Sequence, residues 1–223
     1  MFLLLLVLAS TLFFNVIRCE QIEAKTKTQD QALAKKTFTR TRKNSSINCI
    51  RKLFDNFHSV ERGVLYRSKQ LSKKRLEKYI KRLDLKTIIN LRGPNPTRSW
   101  WRQEKALAQK HGLKFYNLAM TARSLPSKQH LLKLLDIYKT APKPILIHCY
   151  SGADRTGEAA ALWVLEHQKK HKNIALKQLS FKYGYVRSKH PAKHFFISIW
   201  QGKKWLTATY DPDIYPKCSQ MLI

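Results

Sequence analysis

Acidic residues are scarce in this chain: 14 Asp and Glu stand against 43 Lys and Arg over 223 residues, a formal net charge of +29. A surface so short of carboxylates attracts polyanions, whether nucleic acid, anionic lipid or a phosphorylated substrate. Long apolar runs are missing too. The longest, Phe2 to Ile17, is interrupted by Ser10, Thr11 and Asn15 and falls short of the ~20 residues a membrane-spanning helix needs. No internal repeat is visible, which excludes a repeat array. The eight histidines are scattered. His167 and His171 share helical spacing but have no acidic or Cys companion that would complete a metal site. What the chain does have is core material: 43% apolar and 11% aromatic residues, too many for disorder.

The apolar start fits an export signal, with a cut after Cys19 and Ile17 and Cys19 at the recognition positions. It lacks a preceding Lys or Arg and an Ala-x-Ala site. The dense positive charge behind it favours the alternative, a short anchor with the body on the cytoplasmic side. Residues 1–19 are therefore read as signal or anchor, and the body as exported (periplasmic or secreted) or membrane-anchored. Residues 20–52 carry Lys25, Lys27, Lys35, Lys36, Arg40, Arg42 and Lys43 with no apolar period, as in a flexible basic linker. The folded domain is placed at 53–206, with a tail at 207–223. Cys49 and Cys218 flank that domain. A disulfide between them suits export, and two unremarkable thiols suit the sequence equally well.

Within 53–206 strand and helix signals alternate. Val64–Tyr66, Thr87–Leu91, Lys114–Leu118 and Pro144–His148 read as strands, the last central because Ile145, Leu146 and Ile147 are all apolar. Ser72 is placed to cap a helix bearing Leu76, Tyr79, Ile80 and Leu83 on one face. Further helices are expected over Ser99–His111, from Pro126-Ser127 through Tyr138, after His148, and around Ile174–Tyr183 and Ala192–Trp205. Such alternation implies an α/β fold with a mostly parallel sheet covered on both faces, and ligands beyond the carboxyl ends of its strands.

The segment after the central strand reads His148-Cys149-Tyr150-Ser151-Gly152-Ala153-Asp154-Arg155-Thr156-Gly157. Strand, loop and helix start follow in that order, so backbone N–H groups and a helix N-terminus surround one point, a cradle for a tetrahedral dianion. Gly152 supplies a backbone shape other residues resist. The planar fork of Arg155 suits two phosphate oxygens. Cys149 in that field is placed as a thiolate nucleophile, Thr156 as its hydrogen-bond donor, and His148 as a brace of the loop.

This segment resembles the signature of the protein tyrosine phosphatase superfamily, His-Cys-x5-Arg followed by Thr and Gly. Asn56-Phe57, Leu65-Tyr66-Arg67-Ser68 and Lys86 to Arg92 are similar to bacterial dual-specificity-like members. The resemblance implies a cysteine-phosphatase fold, a phosphocysteine intermediate on Cys149, phosphate held by residues 150–155, and neither cofactor nor metal. It also implies a general-acid Asp on an upstream loop, but Phe115 to Ser127 contains no Asp or Glu. Some relatives carry an Asp directly before the loop Arg, as Asp154 stands here, which makes Asp154 the acid candidate; bracing of the loop is its alternative role. Glu104, on an expected helix, is the weaker candidate and reads as a surface or ion-pair residue. Asp136, inside the Leu-rich helix, reads as structural or surface.

The substrate expected is a phosphorylated protein (phosphotyrosine or phosphoserine/threonine), or alternatively a phospholipid or inositol phosphate at an anionic membrane. Nucleic acid is disfavoured by the export signal. A non-catalytic polyanion-binding module is the reading of another class, and the intact Cys149, Arg155 and Thr156 argue against it. Arg92, Arg98, Arg102, Arg123 and Arg187 could rim the mouth, or be ordinary surface charges. Trp100 and Trp101 could flank a substrate, or be partly buried by an amphipathic helix start.

Overall fold

The structure is a computed structural model that describes residues 54–215. The apolar start, the 20–52 linker, Cys19, Cys49 and Cys218 lie outside the described residues.

Five short strands make the sheet: β1 (His58–Glu61), β2 (Leu65–Ser68), β3 (Thr87–Asn90), β4 (Lys114–Asn117) and β5 (Ile145–His148). Their order is β1-β2-β5-β3-β4, antiparallel between β1 and β2 and parallel elsewhere. The central strand is β5, and all four of its residues are buried, as its unbroken apolar run demands. Alternate residues feed opposite faces. Ile145 and Ile147 join one core, with Leu65 and Ile89, and Leu146 joins a second, with Tyr66 and Ile88.

Two helices cover the second core, α1 (Lys73–Leu83) and α2 (Ser99–Lys110). The first core lies under α3 (Lys128–Thr140), α4 (Asp154–Glu166), α5 (Lys172–Leu176), α6 (Pro191–Ile199) and α7 (Lys203–Ala208). Ser72 does occupy the N-cap of α1, yet its side chain makes no capping bond. At α3 the Ser127 hydroxyl accepts from the His130 N–H.

The structure differs from the expectations at four points. β1 carries no sequence signal, because as a partly exposed edge strand it shows no apolar alternation. The helix expected over Ile174–Tyr183 is α5 followed by a separate 3-10 turn, Phe181–Tyr183, closed by Gly184 at φ +76°. The helix expected over Ala192–Trp205 is α6 and α7, parted at Gly202 with φ +99°. Tyr210 falls in the stretch read as a tail, yet it is buried in the first core and donates to the Pro126 carbonyl at 2.8 Å.

Candidate active site

Strand register assembles the site. Ser68, His148 and Asn90 stand side by side at the carboxyl ends of β2, β5 and β3, and Asn117 of β4 continues the row. The segments leaving those strands meet at one sheet edge: Lys69-Gln70, the loop from Cys149, and Leu91-Arg92.

The loop is held open from outside. Three successive carbonyls are bonded outward. Tyr150 accepts from the Gln70 N–H at 3.0 Å, Ser151 from Asn56 Nδ2 at 3.0 Å, and Gly152 from Arg67 Nη2 at 2.8 Å. In a trans peptide the N–H points opposite its carbonyl, so the amides that follow are turned toward Cys149. The Gly152 N–H accordingly donates to Cys149 Sγ at 3.3 Å, and the Ala153 N–H reaches the Ser151 hydroxyl at 3.4 Å. Gly152 sits at φ +78°, and a Cβ there would lie 2.7 Å from the Lys69 nitrogen, so this position requires glycine. Gly157 is needed for approach instead: a Cβ there would meet Leu179 Cδ2 at 2.7 Å and the Gln178 carbonyl at 2.9 Å.

Cys149 is almost wholly buried at the floor. Thr156 Oγ1 and Arg155 Nε are buried with no hydrogen-bond partner among the described residues, while Arg155 Nη1 rests on the Leu91 carbonyl at 3.4 Å. Unsatisfied buried donors are costly unless a ligand completes them. Two of the five such atoms among the described residues belong to the residues expected to hold the phosphate and the thiolate, and the others are Arg67 Nε, His148 Nε2, which faces Glu104, and His190 Nδ1.

His148 turns away from the cradle. Its Nδ1 lies 3.3 Å from its neighbour's carbonyl, Cys149 O, and its Nε2 2.8 Å from Glu104 Oε1. Glu104 is therefore no surface residue. It is buried, paired with His148, and its second oxygen accepts from Gln70 Nε2 at 3.2 Å. Asp154 opens the first turn of α4, with Oδ1 4.0 Å from His190 Nε2. Asp136 is exposed.

The residue that sequence reasoning missed is Arg67. It is fully buried, donates through Nη1 to both the Gln178 carbonyl and its side-chain oxygen at 2.8 Å, and stacks 3.8 Å from the Tyr183 ring. Burial lowers its pKa to about 10, with Tyr183 and Cys149 opposing the shift, so it remains a cation at neutral pH. The signal was a charged residue inside a strand, in the quoted Leu65-Tyr66-Arg67-Ser68. Arginine is rarely fully buried unless it is paired, and here Nη1 and Nη2 are bonded while Nε has no partner among the described residues.

Of the five arginines considered for the rim, Arg92 is brought to the mouth. Its guanidinium lies 3.7 Å over Trp100 and 5.2 Å from the Tyr150 ring, and its Nη1 donates to Gln70 Oε1 at 3.1 Å. Arg98, Arg102, Arg123 and Arg187 are exposed. Trp101 instead donates to Asn117 Oδ1 at 2.8 Å.

A family model described as DSP-PTPase phosphatase fused to NAD+ kinase matches residues 46–193. Among solved structures, the core catalytic domain of the PP-IP phosphatase SIW14 from S. cerevisiae, in complex with citrate, is 24% identical with a TM-score of 0.56, over 67% of this chain and 88% of that one. TpbA of P. aeruginosa, in complex with pTyr, is 22% identical with a TM-score of 0.52, over 65% of this chain and 84% of that one. PTPMT1 is 14% identical with a TM-score of 0.51, over 68% and 96%. At such identities these structures share the fold. No curated protein sequence matches the chain significantly.

Proposed function

The chain belongs to the protein tyrosine phosphatase superfamily, in its DSP-PTPase branch, and is a phosphatase; on that premise we propose that it hydrolyses phosphate monoesters through a phosphocysteine on Cys149. The observation that carries this reading is the cradle: carbonyls 150–152 tied outward, the Gly152 N–H on Cys149 Sγ, and Arg155 Nε and Thr156 Oγ1 buried without a partner among the described residues.

A phosphoryl group seated there has its oxygens on the loop amides and the Arg155 fork, donors already in place for the charge of the transferring group. The Cys149 thiolate attacks phosphorus in line with the ester oxygen. An S–P bond forms as the P–O bond breaks, and Asp154 gives its proton to the leaving oxygen. Water then attacks the phosphocysteine and loses a proton to Asp154. Sulfur departs as a thiolate, accepting the Thr156 hydroxyl hydrogen bond.

Phosphorylated proteins are the first of two substrate readings, supported by TpbA, a fold neighbour whose structure holds pTyr. Inositol phosphates are the second reading, favoured by the cation Arg92 at the mouth and by SIW14, a PP-IP phosphatase of the same fold. Phosphate release from phosphopeptides, inositol phosphates and nitrophenyl phosphate tests the chemistry. Turnover is expected to survive EDTA, to be blocked by vanadate, and to vanish in Cys149→Ser while substrate binding persists. Full activity in that variant would refute the mechanism.

A further inference from the structure

A phosphatase loop with one arginine has donors for one phosphoryl group. This mouth holds a second guanidinium. Arg92 follows Leu91, whose N–H donates to the His148 carbonyl at 2.9 Å and whose carbonyl lies 3.4 Å from Arg155 Nη1. On its other side is Tyr150, the residue after the nucleophile. Arg92 thus stands at the edge of the Cys149 loop, within electrostatic reach of Arg155.

It is held in place before any ligand arrives. Trp100 supports the plane of the guanidinium at 3.7 Å. Gln70 accepts from Nη1 at 3.1 Å and is itself fixed by Glu104, which pairs with His148. A rotamer-rich side chain ordered in advance loses little entropy on binding.

Its charge is not answered. No carboxylate lies within ion-pair distance of Arg92 among the described residues. Glu104, which could have served, is committed to His148. Partial burial and the neighbouring Arg155 weigh against the charged form of Arg92, with Cys149, Glu104 and Tyr150 opposing.

We propose that Arg92, stacked on Trp100 beside Tyr150, forms a second anion subsite next to the scissile phosphate, and that the substrate is a polyol bearing two neighbouring phosphoryl groups. The inference rests on the phosphatase reading above and selects within it. The loop positions are Tyr150, Ser151, Ala153 and Asp154, and the second cation comes from the connection after β3 instead. The same stack disfavours a phosphotyrosine ring, because the guanidinium already covers the Trp100 face. A free polyol bisphosphate and a lipid headgroup of that kind present the same chemistry.

The test uses the full chain, with and without Arg92→Met, in two measurements. The first is kcat/KM for an inositol phosphate with two adjacent phosphates, for an inositol monophosphate, for a phosphotyrosine peptide, and for a phosphoinositide with adjacent phosphates in phosphatidylcholine vesicles. The wild type is expected to favour the bisphosphates. Arg92→Met should cut their advantage over the monophosphate by ~10–100-fold, the worth of one charge-assisted hydrogen-bonded contact, mainly through KM. Whichever bisphosphate is turned over better identifies the source, soluble or lipid. The second is calorimetric affinity of Cys149→Ser for the soluble bisphosphate, which should fall by a similar factor when Arg92→Met is added. A preference for the phosphopeptide, or an Arg92→Met effect equal on all substrates, overturns the subsite. Activity that persists in Cys149→Ser refutes the phosphatase reading and takes the subsite with it.

Discussion

Arg67 shows how much the shape of the Cys149 loop owes to a residue buried beneath it. Its guanidinium ties Gly152 to Gln178 across the core, and its three bonds fix a carbonyl outward so that an amide points in. Lysine there keeps the charge but cannot span both partners. Arg67→Lys should lose roughly 2–4 kcal/mol in denaturant unfolding and lower kcat more than it raises KM; wild-type stability and kcat would show the tie to be idle. Asp154 invites a finer test. An alkoxide needs a proton to leave and a nitrophenolate barely does, so Asp154→Asn should slow alkyl phosphates by ~10²-fold or more and nitrophenyl phosphate far less. Equal slowing of both would make Asp154 a brace of the loop, in keeping with its proximity to His190. Cys149, Arg155 and the loop glycine were legible because they lie within one stretch of sequence. Arg67 and the buried Glu104 were not, because what lets them be buried comes from Gln178, Gly152 and His148, far along the chain.

Between elements, the firmest polar tie is Lys193 on α6. It donates to both Glu158 oxygens on α4, at 3.0 and 3.2 Å, and to the Ser124 carbonyl at 2.9 Å, with both side chains wholly buried. Two helices and the loop before α3 meet there. Burial pushes the Glu158 carboxyl up from 4.5 to about 7, with Lys193 pulling it down and Asp154 adding slightly to the rise. A carboxyl whose folded pKa exceeds its unfolded one binds protons more tightly in the fold. Its contribution to stability is complete below about 4.5 and is lost as pH rises through about 7. Urea midpoints should therefore decline from pH 5 to 8, and Glu158→Gln should flatten that decline while lowering stability throughout. An unchanged slope would assign the decline to other groups. At this scale a one-sided apolar pattern marked α1 and α3, α2 was placed by its stop at Gly112, α4 is buried from Thr156 to Val164 with no single face, and the reading failed after Glu166. There the turn over 177–180 and Gly202 at φ +99° interrupt apolar patterns that would otherwise read as continuous helices, and short pieces hold through the core they share.

For the molecule as a whole, alternating strand and helix signals were enough to give the layered α/β fold, since a mostly parallel sheet needs covering on both faces. The edge strand β1 stayed hidden because half of it faces solvent. The excess of basic residues is the other property of the whole chain. We propose that it draws the protein to anionic surfaces. Binding to vesicles containing phosphatidylserine should fall steeply between low and physiological salt as attraction is screened. Equal binding to neutral vesicles at low salt would overturn this.

The cradle has one more consequence, for the order of events in folding. Its closing bonds join residues far apart in sequence: Asn56 to Ser151 at a separation of 95, Asn56 to Tyr183 at 127, and Arg67 to Gln178 at 111. Contacts between distant residues carry a larger loop-closure cost, and chains dominated by them fold slowly. Helices can thus be in place while the loop is still unformed. Recovery of phosphatase activity during refolding should trail recovery of helical circular dichroism, so activity reports the completed chain and not its parts. Simultaneous recovery would mean that the loop closes along with the helices.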